Sequence, residues 1–157
     1  MFTLRLVQLV EHHADKLSER LMARLKRSEC CNELLAAVPP HEMKQRTFEI
    51  YRNLTDWLEN KSEGEVEERY MGIGARRARQ GVPFSQFLFA VHATKTNLWD
   101  FLQQEGLLEP GELISEMELL RAMEHFFDRA LYFASVGYES VIQGELVRGH
   151  VATAGRI

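Results

Sequence analysis

The residues His92-Ala93-Thr94-Lys95 have the one spacing in this chain that invites chemistry. An imidazole with a lysine three positions on, presented by a helix, suits a histidine that accepts a phosphoryl group beside a cation that screens it. That chemistry needs an exposed ring and a free ammonium. Histidine phosphotransfer modules usually place a glycine after the lysine so that a partner can approach; here Thr96 stands in that place. A helix turns by about 100° per residue. His92 therefore lies at the border of the apolar stripe built by Phe84, Phe87, Leu88, Val91, Leu98 and Leu102, and Lys95 lies further inward. The favoured reading is a histidine at the edge of the core, packing near Trp99, with a phosphotransfer-like relay through His92 as the lesser alternative.

Other chemistry-bearing residues are scattered. His12 and His13 are consecutive, so on a helix they diverge and cannot chelate one ion together. No His-x-x-x-His, His-Glu-x-x-His or Cys/His array with ligand spacing occurs. A di-iron bundle needs Glu-x-x-His pairs, and none is present. His125, between Glu124 and Phe126, could serve as a haem ligand, but a histidine beside aromatics is more often simply packed. The run GIGARRARQG, Gly72 to Gly81, follows no strand and lacks the Gly-Lys-Ser/Thr ending of a phosphate loop. Gly72 and Gly74 inside a helix each cost about 1 kcal/mol relative to alanine, which predicts close approach of a neighbouring helix. Arg76, Arg77 and Arg79 read as a solvated helix end, with an anionic partner surface the lesser option. No catalytic constellation stands out, so the chain reads as no enzyme, with no metal and no cofactor.

The elements that must position these residues are all helical. Val10, Ala14, Leu17, Leu21 and Leu25 form one apolar face, and the pattern breaks at Pro39 and Pro40. A second helix carries Ile50, Tyr51, Leu54, Trp57 and Leu58 on its buried side. In the third, Ser62 and Glu65 form a capping box, acidic residues precede basic ones along the dipole, and Gly81 with Pro83 ends it. The fourth spans about Phe84 to Gln104. The fifth, from Pro110 to about Val147, keeps a coiled-coil-like seam through Leu113, Met117, Leu120, Phe127, Leu131, Ala134, Tyr138 and Val141, broken by Glu124. Such a rod would be roughly 55 Å long, so it kinks, with Gly137 the natural place, or projects from the bundle. The fold expected is all-α, a bundle of about five helices with a long C-terminal helix. Residues 1–147 form the domain and 148–157 a flexible tail or linker.

At 157 residues the chain fits one domain, and its net charge of −4 argues against a nucleic-acid surface. No apolar run approaches a membrane span. Cys30 and Cys31 are adjacent and poorly placed to bridge each other, which suits a reducing compartment. A cytoplasmic protein, without nucleic acid or membrane as partner, is the expectation.

The run GARRARQGVPFSQFLFAVHATKTNLWDFL resembles the N-terminal domain of the RsbRD-type RsbT co-antagonists, an all-helical input module of bacterial stress signalling. Gly74, Arg77, Ala78, Gln80 and Gly81 carry the likeness, followed by Leu98-Trp99 and Phe101-Leu102, and FFDRALYFASVGYES (Phe126 to Ser140) adds to it. The resemblance implies a non-enzymatic sensory domain that dimerises and sits ahead of an output domain of STAS or kinase type. No output domain follows the bundle in this sequence, so the output is expected from another protein or from a longer chain. The likeness assigns no role to His92.

The sequence favours a helical input domain acting as a homodimer through its last helix, with Leu131, Ala134, Tyr138 and Val141 at the contact. The alternative is a small-molecule binding bundle with a pocket lined by Phe87, Val91, Trp99, Phe127 and Tyr132. Incubation with a histidine kinase is expected to leave no acid-labile phosphate on the chain. Label that a His92→Gln substitution removes would establish the relay instead.

Overall fold

Proline, glycine and polar caps divide the chain, and the computed structural model describes residues 4–105 and 116–154. Among them are seven α-helices, one π-helical turn and no strand. The first expected helix is three. Helix α1 (Leu4–His12) is broken at His13 from α2 (Ala14–Arg27). The His13 backbone N–H donates to the carbonyls of Leu9 and Val10, and its ring packs 5.6 Å from Phe101. Helix α2 stops where Glu29 takes a left-handed φ of +59°, and a short α3 (Asn32–Ala37) follows. The predicted face, Val10 to Leu25, is buried, and Leu6 and Val7 extend it toward the start of α1.

Helix α4 (Pro40–Arg52) begins with Pro40 in its first turn, where a missing N–H costs nothing. It gives way at Asn53, and a π turn (Asp56–Asn60) carries Trp57. Ser62 and Glu65 then form the predicted capping box that starts α5 (Glu63–Arg79). Gly81, at φ +76°, ends it as a left-handed residue that glycine adopts without strain. Helix α6 runs Phe84–Glu105. Its buried face is rotated from the predicted one: Ala90, Ala93, Thr94 and Asn97 are inside, whereas Leu88 is exposed. Helix α7 runs Met117–Ala154, about 57 Å at 1.5 Å per residue. The seam position Leu113 lies outside the described residues. The backbone of 148–154, expected as tail, is helical.

Two packing systems meet in the bundle. In one, α2, α4 and α6 enclose a buried polar network. The Tyr51 hydroxyl donates to the Thr94 carbonyl at 2.9 Å, and the Asn97 amide donates to the Leu17 carbonyl at 3.0 Å and to the Tyr51 oxygen at 3.3 Å. Burial pushes the Tyr51 phenol well above its ordinary value, so it stays a neutral donor. Arg24–Asp100, Arg20–Gln104 and Lys16–Glu105 stitch the outer edge of α2 to α6.

The other system is the pair α5–α7, which run in the same direction. A methyl group built on Gly74 would overlap the Ala134 backbone, and one on Gly137 would overlap the Met71 backbone. Each helix thus uses a glycine to admit the other's main chain, and α7 remains helical through Gly137. Gly137 is a packing position rather than a kink. The close approach predicted from the helical glycines holds for Gly74 but not Gly72, where an added methyl group would meet nothing within 4 Å. That difference sets opposite expectations for one substitution. Gly72→Ala should stabilise by up to about 1 kcal/mol through helix propensity. Gly74→Ala should destabilise by about 2–3 kcal/mol through overpacking. Paired urea melts check both, and equal effects would contradict the packing.

Candidate functional site

A cavity of about 80 Å³ lies where the two packing systems meet. Every helix from α2 to α7 contributes to its wall. Leu25 and Leu34 close one side, Phe87, Ala90 and Val91 come from α6, and Phe127, Ala130 and Ala134 from α7. Trp57, Tyr70 and Phe126 close another side as mutual ring contacts of 5.6–5.8 Å. Burial holds the Tyr70 phenol above its ordinary value, so it adds no charge. Among the described residues the buried indole Nε1 of Trp57 has no hydrogen-bond partner, which costs free energy in a folded protein.

The polar side of the cavity is the border between α4 and α5. These helices run antiparallel and are bridged mainly by long side chains rather than close backbone packing. Arg69 pairs with Glu49, which also has Arg46 at 3.8 Å. Toward the other end, Arg76 grips Glu42 in bidentate fashion at 2.5 and 2.9 Å, and Arg77 Nη1 donates to the same carboxylate at 2.9 Å. Arg46, Glu49, Trp57, Arg69 and Ile73 line both the cavity and a polar groove outside it. They form its mouth.

Arg77 departs most from the sequence reading. It is 3% exposed, not part of a solvated helix end; only Arg76 and Arg79 face solvent. Burial pulls the Arg77 guanidinium below its ordinary value, and the hydrogen bond it donates to Glu42 opposes that pull. Bonding from Arg76 brings Glu42 down to about 2, against burial and with help from Arg77. A signal for this existed: Val66, Tyr70, Gly74, Arg77 and Ala78 share one helical face, and all are buried. Glu42, Glu49 and Arg69 gave no comparable signal, because each lies on an ordinary polar position and finds its partner in another helix.

The remaining sequence candidates fall as follows. His92 is exposed rather than packed beside Trp99. Lys95 donates to Glu124 at 3.1 Å, and the Trp99 indole N–H donates to the other Glu124 oxygen at 2.9 Å. The polar interruption of the α7 seam is therefore a clamp between α6 and α7, and the cation needed beside a phosphohistidine is occupied. His125 is exposed on α7. Of the five pocket candidates, Phe87, Val91 and Phe127 line the cavity. Trp99 lies at a surface hollow with Met117 and His125, and Tyr132 is 59% exposed. Of the four contact candidates, Ala134 is buried against Gly74. The Tyr138 hydroxyl donates to the Val82 carbonyl at 2.6 Å, and its ring packs on Phe84. Leu131 and Val141 are half-buried.

Among the described residues no group of three or more metal-ligating side chains occurs, and no helix is long and apolar enough to cross a membrane. Fold and site together define an all-α domain with a central cavity whose polar border is built from arginine–glutamate pairs. The family model for the RsbT co-antagonist protein rsbRD N-terminal domain matches residues 14–151, and the chain belongs to that family. Comparison with curated proteins and with solved structures gives no significant match.

The arginine clamp gives a pH-dependent expectation. A carboxyl held near 2 in the fold, against an ordinary 4.5, stabilises the protein above pH 5. That contribution fades as pH falls through 4.5 toward 2. Glu42→Gln should therefore cost about 3 kcal/mol at neutral pH, since it leaves Arg77 buried without its anion. The cost should shrink in acid. A pH series of denaturant melts checks it, and a pH-independent loss would contradict the assignment.

Proposed function

We propose that this chain is a stress-signalling input domain whose output is the far end of α7, read by a second copy of the chain and by a signalling partner. Its family membership supports the signalling role and a place among interacting partners. The observation that carries the output assignment is a mismatch between burial and helix length. The last fully buried residue of α7 among those assigned a burial is Gly137, whereas the helix continues to Ala154. From Tyr138 to Glu145 no residue is fully buried, yet the backbone stays helical for roughly 24 Å beyond Tyr138.

A helix end without a neighbour is marginal by itself and is favoured by packing an apolar edge. Here the edge includes half-buried Val141 and exposed Ile142, and a second copy would cover it in a two-helix contact. Because α7 is locked to α5 through Gly74 and Gly137, a shift of α5 would move the projecting end with it. That coupling makes α7 an output element rather than a passive tail. The partner on the output side is of STAS or kinase type, in a separate protein or in the same longer chain.

The test is sedimentation velocity across concentration. A dimer is expected at high micromolar concentration, and the pair of substitutions Val141→Asp and Ile142→Asp should convert it to monomer without lowering the melting temperature. A monomeric wild type at that concentration would overturn the reading.

A further inference from the structure

The input reading leaves open what is sensed, and the cavity has a composition that narrows it. Its wall is hydrocarbon and aromatic except along the α4–α5 border and at Thr94, whose hydroxyl donates to the Ala90 carbonyl. That border holds Arg46, Arg69, Arg76 and Arg77 against Glu42 and Glu49, an excess of two positive charges in a chain of net charge −4. Within the cavity lining, Arg46 and Arg69 share the single carboxylate of Glu49, whereas Asp56, Glu65 and Glu68 stand with Lys61 in the groove outside. A guanidinium accepts two parallel carboxylate bonds when one is offered, so this mouth can take a second anion. Behind it lie Ile73, Phe87, Val91 and Phe127, which offer nothing to a polar group.

We propose that the cavity binds a small apolar monocarboxylate, its hydrocarbon body among Phe87, Val91 and Phe127 and its carboxylate at Arg46 and Arg69. Size sets the body. A hydrocarbon-lined cavity of about 150 Å³ admits benzene, and this one is about 80 Å³. A compact body of about three to five carbons fits, as in isobutyrate or isovalerate. A long chain does not. Charge sets the head, because an amine of the same shape would meet the arginine excess and an alcohol would leave it uncompensated. Entry lies between α4 and α5, where side chains rather than backbone fill the gap, and the Glu49–Arg69 pair is what the ligand must part. The loss of that pair on binding would loosen α4 from α5, and α5 is the helix locked to α7. The ligand assignment does not depend on the output reading; only its signalling consequence does.

Trp57 lines the cavity and Trp99 does not, so Trp57 fluorescence in a Trp99→Phe protein reports occupancy. The experiment titrates isobutyrate and isovalerate, each beside its matched primary alcohol and amine, with octanoate as the overlong acid. Melting temperature is read in parallel. Saturable change with the short acids is expected, roughly tenfold tighter than with the alcohols, as a charge-assisted pair should give, and none with the amines. Arg69→Gln should bring the acids down to the level of the alcohols while the fold survives. Ala90→Leu should fill the cavity and abolish binding by all of them. The proposal is overturned if no short acid gives a saturable signal up to about 10 mM, the weak end of specific affinity. It is equally overturned if acids and alcohols bind alike, if octanoate binds best, or if binding survives Ala90→Leu in a folded protein. A monomeric protein that still binds the short acids would sink the output reading and leave this one standing.

Discussion

Backbone touches backbone where α5 crosses α7, and much of the domain's geometry follows from that contact. Gly74 admits the main chain of Ala134, and Gly137 admits that of Met71. Helices this close gain dispersion along their length and leave no room for sliding, because any side chain in the seam would collide. The glycines weaken each helix alone. The tertiary contact offsets that cost only if both are in register. The pair is therefore specified as much by what it forbids as by what it attracts.

Commitment of α5 to α7 leaves α5 at a distance from α4. Long arginines fill the interval, with Glu42 and Glu49 on α4 as their anions. Ion pairs of this kind tolerate displacement far better than interdigitated apolar side chains, since partial exposure lets water replace a lost partner. The Arg77–Glu42 bond is the exception, because Arg77 is buried and has no such substitute. The domain thus has a rigid seam on one side of α5 and a compliant, charged border on the other, with the cavity between. A compliant border over a cavity, coupled through a rigid pair to the long helix α7, is the layout on which the proposed input role rests.

Helix positions were readable because their determinants are local. The capping box at Ser62 and Glu65 and the left-handed Gly81 both stand where residue type alone puts them. The break at His13 and the π turn at Asp56–Asn60 were not readable, because no proline or glycine marks either. The rotation of α6 was hidden for a different reason. Thr94 and Asn97 look solvent-facing by composition but turn inward, the Thr94 hydroxyl donating to the Ala90 carbonyl of its own helix and the Asn97 amide to Tyr51 and the Leu17 carbonyl. The cavity was legible only in its apolar members, Phe87, Val91 and Phe127, since periodicity reports which residues face inward but not which of them meet. Its charged mouth depends on pairs between helices, and no single helix encodes them.

Native-state hydrogen exchange tests the central claim most directly, that α5 and α7 move as one while α4 moves apart from them. Amides flanking Gly74 and Gly137 should exchange only with global unfolding and share one free energy of opening. Those of α4 near Glu49 and of the Trp57 turn should open in a separate, cheaper step. Exchange in which α7 around Gly137 opens independently of α5, or in which α4 and α5 open together, would contradict the account.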